Sequence, residues 1–154
     1  MGLMMNQSVN NRVATKPPLP WHAWLIGGVF LLYGLASAFD YVMSLLQGEA
    51  YYRASGMTDS QVVYFSSVPL WAMVGWTLSV WGGLFASCAL LFRRRSAVFF
   101  FATSLLGSLI YIFYTFVLSA GKDAMGGIWF MPFVISGLML FMIFYSAGLI
   151  KKRV

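Results

Sequence analysis

Four stretches of the chain are each long and apolar enough to cross a membrane, and the charges fall almost entirely between them. A helix needs about 20 apolar residues to span the hydrocarbon core. The stretches run from about residue 23 to 46, 68 to 92, 97 to 118 and 128 to 150, and only Asp40 interrupts the first. Runs this long, without alternation of polar and apolar residues, exclude a β-barrel. The spacing therefore predicts an all-α, integral-membrane four-helix bundle. Composition points the same way: 60% of the 154 residues are hydrophobic and 9% charged, against about 25% charged in a typical soluble domain. A soluble domain this small could not bury so much apolar surface.

The basic residues set an orientation. Arg12 and Lys16 precede the first span, Arg93, Arg94 and Arg95 separate the second and third, and Lys151, Lys152 and Arg153 follow the fourth. Eight of the ten Lys and Arg thus collect on one side, with Arg53 and Lys122 on the other. The positive-inside rule predicts a multi-pass protein with both termini in the cytoplasm. The four acids, Asp40, Glu49, Asp59 and Asp123, fall on the outer side or in the outer half of a span. The net charge of +6 is then a topology signal and an attraction to anionic lipid headgroups. It is not a nucleic-acid footprint, because no soluble domain exists to carry one.

Residues 1–21 are polar, include Pro17, Pro18 and Pro20, and read as a disordered cytoplasmic tail. Trp21 and Trp24 follow as interfacial anchors. Residues 22–150 form the transmembrane domain, and 151–154 a basic cytoplasmic end. Ala36-Ser37-Ala38 also fits a signal-peptide site cleaved after Ala38, although the apolar run continues to Leu46. The first reading gives four spans and the second three, in the same orientation.

The segment of about residues 47–67 is the one sizeable loop. Thr58 and Gln61 form a T-x-x-Q capping box, with Met57 and Val62 spaced as a hydrophobic staple. A short interfacial helix from Asp59 to about Ser66 is expected in this first outer loop, acting as a lid or as a spacer. Gly56 suits a C-cap for the preceding EAYYRAS segment.

In lipid, helices associate by close packing at small residues. On the second span Gly75, Ser79, Gly83 and Ser87 recur at every fourth position, beside Gly82 and Ala86. Ser104 and Ser108 with Gly107 do the same on the third. This predicts a bundle with the second span at its centre, or a contact for a homo-oligomer or a larger membrane complex. Val98–Phe101 lacks such a seam and is expected to face lipid.

An intramembrane carboxylate is costly, which makes Asp40 the first candidate for a binding or coupling site. It could reach the interface or pair with Arg53 or Lys122, or it could serve as a structural hydrogen-bond anchor. Tyr41, Tyr111, Tyr114 and Thr115 fall at similar depth, with Trp71 and Trp76 on the second span. They line a shallow polar-aromatic pocket, or they form an interface belt. His22, the single histidine, stands without a partner in sequence, and Cys88, the single cysteine, reads as a small apolar residue. Neither a metal cluster nor a cofactor is implied, and no nucleophile–base pair or phosphate-cradling loop appears. The chain is read as having no catalytic site of its own.

The segments Phe39-Asp40-Tyr41-Val42-Met43, Gly56-Met57-Thr58, Tyr64-Phe65, Pro69-Leu70-Trp71, Val80-Trp81-Gly82-Gly83, Arg93-Arg94-Arg95 and Ser104-Leu105-Leu106-Gly107 resemble a family of small bacterial four-span inner-membrane proteins. Some of its members carry the label "sugar transporter". The resemblance covers most of residues 22–127. It implies a bacterial inner-membrane location and supplies no catalytic or binding residue. The expected functions are an accessory component acting through the lipid bilayer and neighbouring proteins, a small-solute carrier using Asp40 with an unknown ligand, or a sensor read through the outer loop.

Overall fold

A computed structural model of the chain describes residues 18–151. Nearly all of the expected tail, with Arg12 and Lys16, and the end residues Lys152 and Arg153 lie outside the described residues. Among the described residues seven α-helices follow one another: α1 (Trp21–Gln47), α2 (Glu49–Ala54), α3 (Asp59–Ser66), α4 (Leu70–Leu91), α5 (Ser96–Phe113), α6 (Gly121–Met125) and α7 (Met131–Lys151). No strand occurs among the described residues. α1, α4, α7 and α5 with its continuation to Leu118 are the four helices long and apolar enough to span a membrane, which makes this a multi-pass membrane protein. α2, α3 and α6 gather at one end of the bundle, the loop end; Arg93–Arg95 mark the other, the arginine end.

Local chemistry sets the helix boundaries. Pro20 and Pro69, both extended, precede α1 and α4, and Pro132 sits in the first turn of α7, where no intrahelical N–H bond is lost. Gly48 breaks α1 from α2 at φ 53°, a backbone shape that suits glycine. At the end of α4 the Arg94 N–H donates to the Ala89 carbonyl and the Arg93 N–H to Leu90. That is a Schellman closure with Arg93 at φ 60° in the place glycine usually takes. The third span differs from its expected uniform helix. After Phe113 it widens into a π-turn over Tyr114–Leu118, and the short helix α6 then caps the loop.

Half of the most apolar 18 residues of α4 are buried, against 17–28% in the other three spans. The central position is shared, however, because α4 and α5 make the tightest pair. A Cβ built on Gly82 would lie 2.9 Å from the Ser104 nitrogen. The row Gly75, Ser79, Gly83 and Ser87 serves this interior: Gly75 faces Gly107 and Ile110, and Gly83 faces Ser104 and Met139. Ser104 Oγ donates to the Ser79 carbonyl at 2.7 Å, and Ser87 Oγ bonds back to Gly83.

Four side-chain hydrogen bonds close the bundle in a ring. Tyr41 and Thr77 hydroxyls meet at 2.7 Å between α1 and α4, and Ser104 reaches Ser79 between α4 and α5. Ser108 and Ser136 meet at 2.7 Å between α5 and α7. His22 Nδ1 and the Tyr145 hydroxyl join α1 to α7. In lipid each such bond stabilises by about 0.6 kcal/mol, up to about 2. An apolar cluster of Ala86, Ala89, Leu90, Ala97, Phe101, Met139 and Met142 fills the arginine-end half. Phe101 is fully buried there while Phe99 is exposed, so the expectation that Val98–Phe101 faces lipid fails for Phe101. The reason is helical: Phe101 shares a face with Ala97 and Ser104, which point at α4 and α7.

Candidate intramembrane binding site

In the loop-end half of the bundle the helices leave a cavity of about 370 Å³, bounded by all four spans. Each wall is one helix face, spaced at i, i+3 or i+4 and i+7. α1 contributes Tyr33, Ala36, Ser37 and Asp40; α4 contributes Trp76, Ser79, Val80 and Gly83; α5 contributes Ser108 and Tyr111; α7 contributes Pro132, Ile135 and Met139. The room exists because Ser79, Gly83, Ala36 and Ser37 are small where their neighbours are large. Tyr33, Ala36 and Asp40 are exposed, so the cavity opens along this face of α1.

Asp40 stands at the mouth. Its Oδ1 accepts a hydrogen bond of 2.8 Å from the Tyr51 hydroxyl on α2. The sequence offered Asp40 an ion pair with Arg53 or Lys122, an interfacial position or a hydrogen-bond anchor; the structure gives it the hydrogen bond and neither cation. Arg53 forms its ion pair with Asp59, because both flank the turn between α2 and α3. Lys122 lies 5.2 Å from the Trp129 ring centroid, a cation–π contact within the α6–α7 connection. Asp40 therefore keeps a carboxylate with one neutral donor. Carboxylate charge beside Tyr51, chiefly through the hydrogen bond, raises that phenol above its ordinary value; Asp59 likewise holds the Arg53 guanidinium more firmly protonated.

A second, smaller cavity of about 80 Å³ lies against the first and shares Asp40, Trp76 and Tyr111 with it. Its remaining walls include Tyr52, Met57 and Phe65, which come from α2, the following turn and α3. The fold of this cover follows from the sequence. Gln61 N–H donates to Thr58 Oγ1 and Thr58 N–H to Gln61 Oε1, completing the capping box, while Val62 is 1% exposed beneath it. Gln61 Nε2 donates to the Ala124 carbonyl at 2.8 Å, tying α3 to α6. Tyr52 and Phe65 rings lie 6.0 Å apart across the α2–α3 turn.

The residues expected together divide into two groups. Asp40, Trp76 and Tyr111 line the cavities, with Trp76 and Tyr111 ring centroids 6.3 Å apart. Tyr41 is buried behind the wall, its ring 5.0 Å from Trp76 and its hydroxyl on Thr77. Trp71, Tyr114 and Thr115 belong elsewhere. Tyr114 stacks on Tyr64 at 6.5 Å and meets the edge of Trp71 at 5.5 Å. Thr115 is fully buried against Gly121. Tyr64 bonds Ser119, whose Oγ donates to the Tyr114 and Thr115 carbonyls of the π-turn. This group holds the α5–α6 corner rather than a site. Depth alone had put both groups together; the helix face separates them, since Trp71 and Trp76 are five residues apart and point differently.

Sequence reasoning missed Tyr33, Ser37, Ser108 and the α7 wall. The i, i+4, i+7 relation of Tyr33, Ser37 and Asp40 was the available signal. Among the described residues no group of three or more His, Cys, Asp or Glu could hold a metal ion. No family model matches the chain, and neither a curated protein nor a solved structure does.

Proposed function

We propose that this chain binds a small molecule in the cavity between its spanning helices, with Asp40 as the polar group at the mouth and the α2–α3 pair as the lid. One observation carries the reading: the cavity is walled by all four spans and has the sole carboxylate within the spans at its rim. Small-molecule sites are concave, about 300–1,000 Å³, mostly apolar and set with a few polar groups, and carboxylates inside spans mark solute or ion paths. The function is then binding and movement of a solute, without chemistry upon it. The chain is further read as a bacterial inner-membrane protein with both termini in the cytoplasm. Arg93–Arg95 and Lys151 at one end, against Glu49, Asp59 and Asp123 at the other, support that orientation, which puts the lid on the outer face.

A second reading, an accessory component of a larger membrane complex, rests on a different observation. Gly28, Gly137 and Gly148 meet nothing within 4 Å of a built Cβ, leaving open positions on α1 and α7 where another helix could approach. The row Gly75, Ser79, Gly83 and Ser87 no longer adds to that reading, since it is spent inside the chain.

Extraction into native nanodiscs with mass analysis of what co-purifies separates the two. A small molecule retained by the wild type and lost from Ala36→Trp, which fills the mouth from an exposed position, supports the carrier. A stoichiometric protein partner, with no small molecule held, replaces it with the accessory reading.

A further inference from the structure

We infer that the ligand class of this cavity is an organic monocation with an apolar or aromatic body, an inference that rests on reading the cavity as a binding site. Among the described residues, Asp40 is the only charged one lining either cavity, with no Lys, Arg or His beside it. Its carboxylate has Tyr51 as a neutral donor, while Arg53 pairs with Asp59 and Lys122 lies over Trp129. A negative charge left unneutralised at the rim of a low-dielectric space favours a cation and rejects an anion.

The remaining walls select the body of that cation. Phe30, Tyr33, Trp76 and Tyr111 bring four aromatic rings to one space of about 370 Å³. Aromatic faces attract an ammonium through their quadrupole, more strongly when water is excluded. Ile135, Met139 and Val80 complete an apolar floor. A sugar fits less well, because its hydroxyls demand several fixed amides or carboxylates. The lining holds no Asn or Gln, and the Ser108 hydroxyl is already bonded to Ser136. The opening at Tyr33, Ala36 and Asp40 on the exposed face of α1 suits a ligand with one apolar and one charged end.

The probe series varies the charge carried on a benzyl group. Benzyltrimethylammonium, its neutral carbon isostere neopentylbenzene, and phenylacetate are measured for binding to the full chain in nanodiscs, with empty nanodiscs subtracted. The expected result is saturable binding of the cation, about tenfold weaker in Asp40→Asn and restored in Asp40→Glu, with no phenylacetate bound. Asn retains an oxygen for Tyr51, and the wild-type series stands without any variant. If the neutral isostere binds as tightly as the cation, or Asp40→Asn leaves cation binding unchanged, the cation assignment is overturned while the cavity reading stands. If neither probe binds, or both bind Ala36→Trp as they bind the wild type, the cavity reading falls and the inference with it.

Discussion

Gly107 approaches α4 so closely that a Cβ atom on it would lie 2.5 Å from the Gly75 carbonyl oxygen and 2.6 Å from the Ser79 nitrogen. Backbone atoms cannot rotate away, so Gly107→Ala must push α5 off α4. Overpacking of this kind costs about 1–3 kcal/mol. Gly137, in open space on α7, is the matched control. There Ala removes glycine's helix penalty, and Gly137→Ala is expected to stabilise by up to about 1 kcal/mol. Unfolding in mixed micelles with increasing denaturing detergent reads both; equal midpoints for the two variants would show that the α4–α5 approach is not the tight point of the bundle.

Tyr51 reports on Asp40 without entering the cavity. Ionising a phenol that donates to a carboxylate breaks the bond and brings two negative charges together, so the Tyr51 pKa is raised above 10.0. A raised folded-state value contributes stability that is complete below the unfolded value near pH 10 and lost as pH rises through the folded one. The phenolate absorbance difference between wild type and Tyr51→Phe isolates this titration. Its midpoint should lie above 10 in the wild type and fall back in Asp40→Asn, whose amide removes the charge. A midpoint that does not move between the two would mean that the lid does not rest on Asp40 in solution.

The four spans and the α3 cap were legible because each is a local pattern: apolar length for the spans, Thr58 with Gln61 for the cap. Helix ends were readable to within a few residues wherever proline marks them. What could not be read is pairing across the chain. The bond between His22 and Tyr145 joins residues 123 positions apart, and nothing in either neighbourhood announces the other. The cavity shares that character, since it is the space left when faces of four separate helices meet. Small residues signalled close packing but not direction: Gly75 and Gly107 proved to face each other, while Gly28 and Gly137 face outward. The π-turn over Tyr114–Leu118 also had no local signature, because the anchor that receives it comes from Tyr64 and Gly121.

His22 and Tyr145 make a coupled pair at the arginine end, Nδ1 and hydroxyl 2.5 Å apart with rings edge to face at 5.8 Å. The imidazole tautomer decides which of the two atoms donates. Tyr145→Phe keeps the ring contact and loses the bond, at a cost of about 0.5–1.5 kcal/mol. In a double-mutant cycle with His22→Ala the two losses should fall short of additive by a similar amount. Additive losses would mean that α1 and α7 are held at this end by ring packing alone.

Gln61 does two jobs, and a single atom separates them. Its Oε1 accepts from the Thr58 N–H within the capping box, while its Nε2 donates to the Ala124 carbonyl on α6. Gln61→Glu preserves the first acceptor, and a carboxylate also suits the positive end of a helix. It removes the second donor and sets a negative oxygen against a carbonyl, so the α3–α6 tie is lost. Hydrogen exchange should therefore show α3 amides as protected as before, with α6 amides from Gly121 to Met125 exchanging about tenfold faster, the equivalent of about 1.4 kcal/mol. Gln61→Ala should expose both segments, because it removes both bonds. If Gln61→Glu leaves α6 as protected as in the wild type, the lid and the second loop do not move as one cover over the cavity, and α2 with α3 must be treated as a lid that opens by itself.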